Sequence, residues 1–275
     1  MRIMTSNIWG DFFGNEVSSR EGQLYKVYKK YQPDILGLQE ACGSWYKGEM
    51  FAALEKDGYL FLGTHFVHPD QYQAVPGAPL YEGAVSVPLL IKKDQFSVLG
   101  FGNEGLKDTP DYSKAITWAV LETKADKKVF GVCNTHFWWM ERGEEDEQLR
   151  KENAKQLAAV MKQIHQRYHC PVFAFGDMNT RFGSVVFEVY EKEQISCLIN
   201  EADQASEISS HHGDPVRGED GRFHGQKAQK DKQYSIDHIV ACGEAYHVLE
   251  YKVVEDQDAL DATDHSPVYV DVELL

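Results

Sequence analysis

Acidic, amide and imidazole side chains recur in this chain where apolar runs begin or end. Gly-Asp-Met-Asn (Gly176 to Asn179) follows Val172-Phe173-Ala174-Phe175, Ser-Ile-Asp-His (Ser235 to His238) opens the run to Cys242, and Thr-Asp-His-Ser-Pro (Thr263 to Pro267) leads into the last run. Thr5-Ser6-Asn7, Leu38-Gln39-Glu40 and Thr135-His136-Phe137 end earlier runs. A carboxylate can take a proton from water, and an amide can donate a hydrogen bond without adding charge. An imidazole beside a carboxylate has its tautomer fixed and its pKa raised, which favours a cationic donor. Each cluster alone has a plainer reading. Asp-x-Asn is a common turn, a strand-end Glu commonly faces solvent, an Asp-His pair can be a turn residue beside a surface His, and a buried Asn can satisfy backbone groups. Together they describe groups delivered to one rim of a sheet.

The elements that must deliver them are legible from periodicity. Arg2 to Ile8 is a buried strand that presents Asn7 at its end. Ser18-Ser19-Arg20-Glu21 can form a capping box, followed by Leu24, Val27, Tyr28 and Tyr31 at helical spacing, with Pro33 as the stop. Asp34 to Leu38 then carries Glu40. Lys128 to Thr135 delivers His136, a helix from about Glu147 buries Leu157, Val160, Met161 and Ile164, and Val172 to Phe175 delivers Asp177. Strand, functional residue, helix, strand, functional residue therefore occurs twice, with 33 residues from Asn7 to Glu40 and 41 from His136 to Asp177. Further strands are expected at Ala84 to Lys92, Ile116 to Glu122, Ile236 to Cys242, His247 to Val254 and Pro267 to Val272. About ten strands with two main helices predict two packed, mostly antiparallel sheets with helices outside.

Composition narrows the function classes. The 275 residues, 43% hydrophobic and without a low-complexity linker, suit one domain over 1–275. Five scattered cysteines, odd in number and without a CxxC, argue for reduced thiols rather than disulfides or a zinc site. No apolar stretch is long enough to span a membrane and MRIMTSNIWG lacks a signal-peptide core, so a cytoplasmic location and no membrane insertion are expected. A formal net charge of −15 opposes loose binding to polyanions and favours a small phosphoester over duplex DNA, although a local basic patch could override it.

The six clusters, in this order from residue 3 to the C-terminus, resemble the endonuclease/exonuclease/phosphatase superfamily of metal-dependent phosphoesterases, which includes pancreatic-type deoxyribonuclease, apurinic endonucleases, bacterial sphingomyelinases and deadenylases. The resemblance implies an α/β fold, a four-layer α-β-β-α sandwich of two mixed sheets. It also implies hydrolysis of a phosphoester, whose negative charge must be neutralised while a water is aligned for attack. Mg²⁺ suits this because it takes oxygen ligands and needs only one or two carboxylates, and Mn²⁺ can substitute. Glu40 is the foremost candidate ligand, with Asn7 and Asp264 contributing. By the same resemblance Asp177 orients or deprotonates the water, Asn179, His136 and His265 contact the phosphoryl group, and Asp237 orients His265. Relatives pair the first histidine with an earlier carboxylate. Glu82 is the nominee, although its spacing to Val87-Pro88-Leu89 departs from the pattern. Lys114 falls where many relatives carry Arg, keeping charge but losing the bidentate fork. His238 is read as structural, because alternation points it away from the Asp237 side. His68, His165 and His169 lack a motif and are assigned to the surface.

Substrate contacts are sought among Lys114, Trp138, Arg181, Arg222 and His224. The polar connection from His211 to Tyr234 leads into the strand bearing Asp237, and its Arg222-Phe223-His224-Gly225 resembles a Thr-Phe-His-Gly pattern of bacterial relatives. Its charges fit a solvated loop equally well. Trp138 and Trp139 suit either a stacking platform or packing beneath a helix. The Trp-Cys-Asp-Arg pattern of inositol polyphosphate phosphatases is absent, as is any long aromatic insertion of a membrane-inserting sphingomyelinase. The expectation is a Mg²⁺-dependent enzyme acting on a small phosphodiester or phosphomonoester. The alternatives are an exo- or endonuclease on single-stranded RNA or DNA, and a non-catalytic binding module on the same fold. No protein partner is implied.

Overall fold

A computed structural model describes residues 1–11, 14–62, 86–111 and 113–275. In the first quarter of the chain β1 (Arg2–Asn7), α1 (Glu21–Tyr31) and β2 (Ile35–Gln39) form a strand–helix–strand unit, with β1 parallel to β2 and Asn7 opposite Gln39. Leu24, Val27 and Tyr28 are buried, as their spacing predicts. α2 (Gly43–Lys47), α3 (Glu49–Lys56), β3 (Tyr59–Leu62) and β4 (Leu89–Lys92) follow. The second unit comprises β5 (Phe96–Gly105), β6 (Ala115–Thr123), β7 (Val129–His136), α4 (Glu144–Tyr168) and β8 (Val172–Asp177). Here β7 runs parallel to β8 with His136 opposite Asp177. The chain ends with α5 (Val185–Lys192), β9 (Ser196–Cys197), β10 (Gln204–Ala205), β11 (Val216–Arg217), β12 (Phe223–His224), β13 (Asp237–Cys242), β14 (Tyr246–Val253), α6 (Gln257–Ala262) and β15 (Val268–Leu274).

Two mixed sheets result, with strand orders β10-β14-β15-β1-β2-β4-β3 and β5-β6-β7-β8-β13-β9, while β11 and β12 form a separate hairpin. Parallel pairing is confined to β1 with β2, β10 with β14 and β7 with β8. The two longer parallel pairs are the two strand–helix–strand units, and both carry functional candidates at their C-terminal ends. Burial alternates along β8 with the period of a strand: Phe173 and Phe175 face the first sheet, whereas Val172 and Ala174 face α4. Helices α1, α3 and α6 pack together on the first sheet's outer side, and α4 with α5 covers the second, completing the four-layer α/β sandwich.

Several local expectations fail for identifiable reasons. The capping box does not form, because Ser18 and Ser19 lie in a 3₁₀ turn and the Glu21 carboxylate instead accepts the Glu49 and Met50 amides at 2.6 and 2.9 Å. Those are unpaired amides at the start of α3, where the helix dipole favours a negative charge. The strand expected from Ala84 begins at Leu89, while Glu82 and His68 lie outside the described residues. Strand β5 escapes the pattern because of Gly100, Gly102 and Gly105. A Cβ on Gly102 would lie 2.7 Å from the Trp118 indole, so the glycine makes room for a ring lying across the strand.

The two sheets are in close contact at Gly37. A Cβ on Gly37 would meet the Phe175 ring and come within 2.7 Å of the Asn134 carboxamide. Gly37→Ala is expected to overpack this seam and lower stability by about 1–3 kcal/mol, read from the urea midpoint. An unchanged midpoint would mean that the sheets can spread there.

Candidate active site

The C-terminal ends of both parallel pairs open onto one cleft of about 1120 Å³, whose walls include Glu40, His136, Asp177, Asn179, Asp264 and His265. Asn7, at the end of β1, donates from Nδ2 to Glu40 Oε1 at 3.1 Å and to Asp177 Oδ2 at 3.0 Å. Its Oδ1 accepts the Trp9 amide at 3.0 Å, which fixes the orientation of the carboxamide. Its NH₂ group thus ties together two carboxylates from different sheets, while Oδ1 keeps a second lone pair beside the bond from Trp9. Glu40 Oε2 also accepts the Gly10 amide at 2.7 Å. Burial acts to raise the Glu40 pKa, but His136, Lys114 and these hydrogen bonds outweigh it and hold the carboxyl below its usual range.

A second set of bonds aligns His265. Its Nδ1 lies 2.8 Å from Asp237 Oδ2, and that oxygen also accepts the Ser210 hydroxyl at 2.7 Å. The Asp237 amide donates back to Ser210 Oγ at 3.1 Å. The other ring nitrogen, Nε2, faces Asp177 Oδ2 at 3.8 Å and Asp264 Oδ2 at 3.9 Å. These separations exceed a hydrogen bond and leave room for an oxygen between the groups. Burial pulls the imidazole pKa down, yet Asp237, Asp264 and Asp177 together raise it well above normal and so favour the protonated ring. Conversely, burial opposes ionisation of Asp177, but His265, His136 and Lys114 prevail and hold its carboxyl well below the usual range.

Asp264 is the poorly compensated member. Burial raises its pKa to about 7, with Glu40 and Asp214 reinforcing the rise and His265 opposing it. Its Oδ1 accepts the Thr263 hydroxyl at 3.3 Å. Glu40 and Asp264 both line the cleft, and a pair of carboxylates suits a hard divalent cation. Two other groupings, Asp177–Asp237–His265 and His211–Asp264–His265, also bring possible ligand atoms within 4.8 Å of one another. Both draw on His265, whose Nδ1 is already engaged with Asp237.

On the opposite side, His136 Nε2 lies 3.3 Å from Asp177 Oδ2 and 2.8 Å from the buried Lys114 ammonium. Burial lowers the Lys114 pKa, partly offset by Glu40, Asp111 and Asp177. Lys114 thus touches the catalytic candidate His136 as well as the cleft. Asn179 has φ of 47° and donates its amide N–H to Asp177 Oδ1 at 2.9 Å, while Nδ2 donates to Phe137 O at 3.2 Å. The Asx-turn reading and a place on the cleft wall hold together at this residue.

Several substrate candidates sit elsewhere. Trp138 is buried with Nε1 donating to Asp146 at 2.7 Å; the neighbouring Trp139, 51% exposed, lines the cleft instead. Arg222 and His224 are exposed outside the cleft lining, and His224 pairs with Asp220 at 3.0 Å. Their motif is held by its other members: Phe223 packs edge-on to Trp9, and a Cβ on Gly225 would collide with the Leu260 carbonyl. Arg181 does line the cleft. His238 is buried against Phe182 and Phe187, its Nε2 2.7 Å from Thr180 O, so it supports the Asp177 loop from behind. His165 Nδ1 lies 2.8 Å from Cys170 O, and His169 ends α4 with φ of 52°.

Residues 4–265 match the model of the Endonuclease/Exonuclease/phosphatase family. The chain belongs to that family. Family members are hydrolases acting on phosphoester bonds, and they generally use divalent metals. Among solved structures, a mannosyl-6-phosphatase of Bacteroides thetaiotaomicron VPI-5482 superposes with a TM-score of 0.77 at 19% identity, covering 100% of both chains. The human Nocturnin catalytic domain with bound sulfate gives 0.73 at 17%, covering 100% of this chain and 94% of that one. D. rerio TDP2 with a single-strand DNA product gives 0.67 at 14%, covering 99% and 98%. No curated protein matches the sequence.

The family motifs left two supports unannounced. Ser210 stands in a polar stretch with no spacing signal. Arg20 was absorbed into the supposed capping box, yet its guanidinium is wholly buried and donates to the carbonyls of Ile8, Trp9, Asn15, Glu16 and Ala262. It ties the loop after β1 to the end of α6, just before Asp264. Burial pulls its pKa down to about 10 against the opposing pull of Asp264 and other nearby groups.

The His265 pairing has a pH signature. A histidine pKa raised on folding contributes stability that is complete below the unfolded value of about 6.5 and is lost as pH rises through the folded value. The stability difference between wild type and His265→Gln, from urea unfolding in EDTA, is expected to be greatest near pH about 6 and to shrink in alkali. A constant difference into the alkaline range would contradict the pairing.

Proposed function

We propose that residues 1–275 form one catalytic domain, a Mg²⁺-dependent phosphoesterase that hydrolyses a small phosphodiester or phosphomonoester by in-line attack of water, with no covalent intermediate. The observation that carries this reading is the placement of ionised Asp177 3.8 Å from the Nε2 of His265, with Asn179 on the same loop. Asp177 accepts a hydrogen bond from the attacking water and turns its lone pair toward phosphorus. A carboxylate held so far below its normal pKa orients water more effectively than it retains a proton. His265 donates from Nε2 to a phosphoryl oxygen and offsets the charge that develops there. Asp237, itself held by Ser210, keeps Nδ1 protonated and the ring in place. Asn179 and His136 complete the phosphoryl contacts, and Lys114 adds positive charge behind His136. Glu40 and Asp264 would hold the Mg²⁺ or Mn²⁺, and Asn7 keeps Glu40 in register with Asp177. The bound cation supplies electrophilic stabilisation of the phosphoryl oxygens.

The structural neighbours span both substrate classes: a mannosyl-6-phosphatase, a 2',3'-cyclic phosphatase, and TDP2 complexed with a single-strand DNA product. The net charge of −15 favours a small substrate for this chain. A single-stranded nucleic acid is the second reading, supported by Trp9, Trp139 and Tyr234 on the cleft wall, where bases can stack. No helix among the described residues is long and apolar enough to cross a membrane. The five unpaired thiols support a reducing, cytoplasmic location.

The test is hydrolysis of p-nitrophenyl phosphate, bis(p-nitrophenyl) phosphate and a labelled single-stranded oligonucleotide with Mg²⁺, Mn²⁺ or EDTA. Turnover should require the metal and fall by about 10²–10⁴-fold in Asp177→Ala. Turnover that survives EDTA or the substitution would refute the mechanism. Steep loss of oligonucleotide binding with salt would favour the nuclease reading.

A further inference from the structure

Among the described residues, four lysine and arginine side chains line the cleft: Lys114, Arg142, Arg181 and Lys230. Lys114 is engaged with His136, and Arg142 with Asp146 at 2.9 Å. Arg181 and Lys230 have no carboxylate partner among the described residues, and both converge on one ring. The Arg181 guanidinium lies 5.5 Å and the Lys230 ammonium 5.2 Å from the centroid of Tyr234, which is 43% exposed. Two like charges placed against one aromatic ring repel each other, and the quadrupole of a single ring compensates them only weakly. In a chain carrying a net charge of −15, such a pair facing a cleft is a preformed place for an anion.

We propose that Arg181, Lys230 and Tyr234 form a subsite for a second phosphate on the substrate, one unit away from the phosphate that is hydrolysed. The proposal rests on the phosphoesterase reading for the location of the first phosphate. Connectivity keeps the subsite close to it. Arg181 is two residues beyond Asn179 and Tyr234 three before Asp237, which bounds the latter separation at about 11 Å of extended chain. Charge selects the ligand: two cations match the charge of about −1.5 to −2 on a terminal phosphate, whereas a carboxylate would leave one unmatched. The guanidinium fork can bind two phosphate oxygens while the ammonium supplies a point charge. The second phosphate can belong to a small bisphosphate or be the terminal phosphate of a nucleic-acid strand, each a phosphomonoester.

Calorimetry in EDTA, where turnover is suppressed, separates this idea from catalysis. Wild type is titrated with two matched pairs, adenosine 3′,5′-bisphosphate against adenosine 5′-monophosphate and fructose 1,6-bisphosphate against fructose 6-phosphate, and with a 5′-phosphorylated dinucleotide. At least one bisphosphate, or the dinucleotide, should bind about tenfold more tightly than its monophosphate counterpart, matching a charge-assisted contact of about 1.4 kcal/mol. That preference should fall towards unity in Arg181→Gln/Lys230→Gln, with its melting temperature checked against wild type. A bisphosphate preference assigns the second phosphate to a small molecule, and a dinucleotide preference assigns it to a strand. No preference in wild type, or a preference that survives the double substitution, overturns the subsite. Because the readout is binding, loss of the hydrolytic reading in the Asp177→Ala assay and loss of the subsite are separately visible.

Discussion

Four carboxylates, Glu40, Asp177, Asp237 and Asp264, converge from strand ends of two sheets, and their charge must be compensated away from bulk water. Desolvated like charges are tolerated only when paired and hydrogen-bonded. Asp177 meets that condition with His265, His136 and Asn7, and Asp237 meets it at Oδ2 with His265 and Ser210, while its Oδ1 is buried without a hydrogen-bond partner. Glu40 meets it through backbone and amide donors. Asp264 does not, and its raised pKa records the shortfall. The same imbalance raises the His265 pKa and lowers that of Asp177, and the proposed cation at Glu40 and Asp264 would relieve it.

Holding such a cluster requires the sheets to keep a fixed spacing, and the interior between them is correspondingly polar just below it. Gln39 Nε2 donates to Asn134 Oδ1 at 2.6 Å, and Asn134 Nδ2 donates across to the carbonyls of Leu38 and Pro88 at 2.8 and 2.9 Å. Thr5 completes this wholly buried set. Direction is what these bonds add to apolar packing: an oily interface would bury as much surface while permitting the sheets to slide. Arg20 performs a related task at the rim, where five carbonyl contacts draw the loop after β1 and the end of α6 together beneath Asp264. Chemistry at the rim therefore depends on the buried polar seam below.

The two strand–helix–strand units were legible because Asn7, Glu40, His136 and Asp177 each follow an apolar run whose period is unambiguous. Strand β5 was not, since its glycines remove side chains that alternation would read, and Gly102 is needed to admit the Trp118 ring from the paired strand β6. The capping box failed for a similar reason: Glu21 matches a local motif, but the amides that need it belong to a helix 28 residues away. At the site, residue types announced the carboxylates and histidines because their chemistry is intrinsic. The roles of Ser210 and Arg20 arise solely from what folding places against them. Trp138 and Trp139 show the limit most simply, because adjacent identical residues have opposite environments and only the Asp146 contact decides which one is buried.

The measurement that bears most directly on this account is Mg²⁺ calorimetry on wild type, Glu40→Gln and Asp264→Asn. Saturable binding to wild type, weakened by about 10–100-fold or more in each variant, is the predicted result, because each substitution removes one of the two carboxylates that the cation would reconcile. Absence of binding to wild type, or equal affinity in all three proteins, would contradict the assignment of that edge as the metal site.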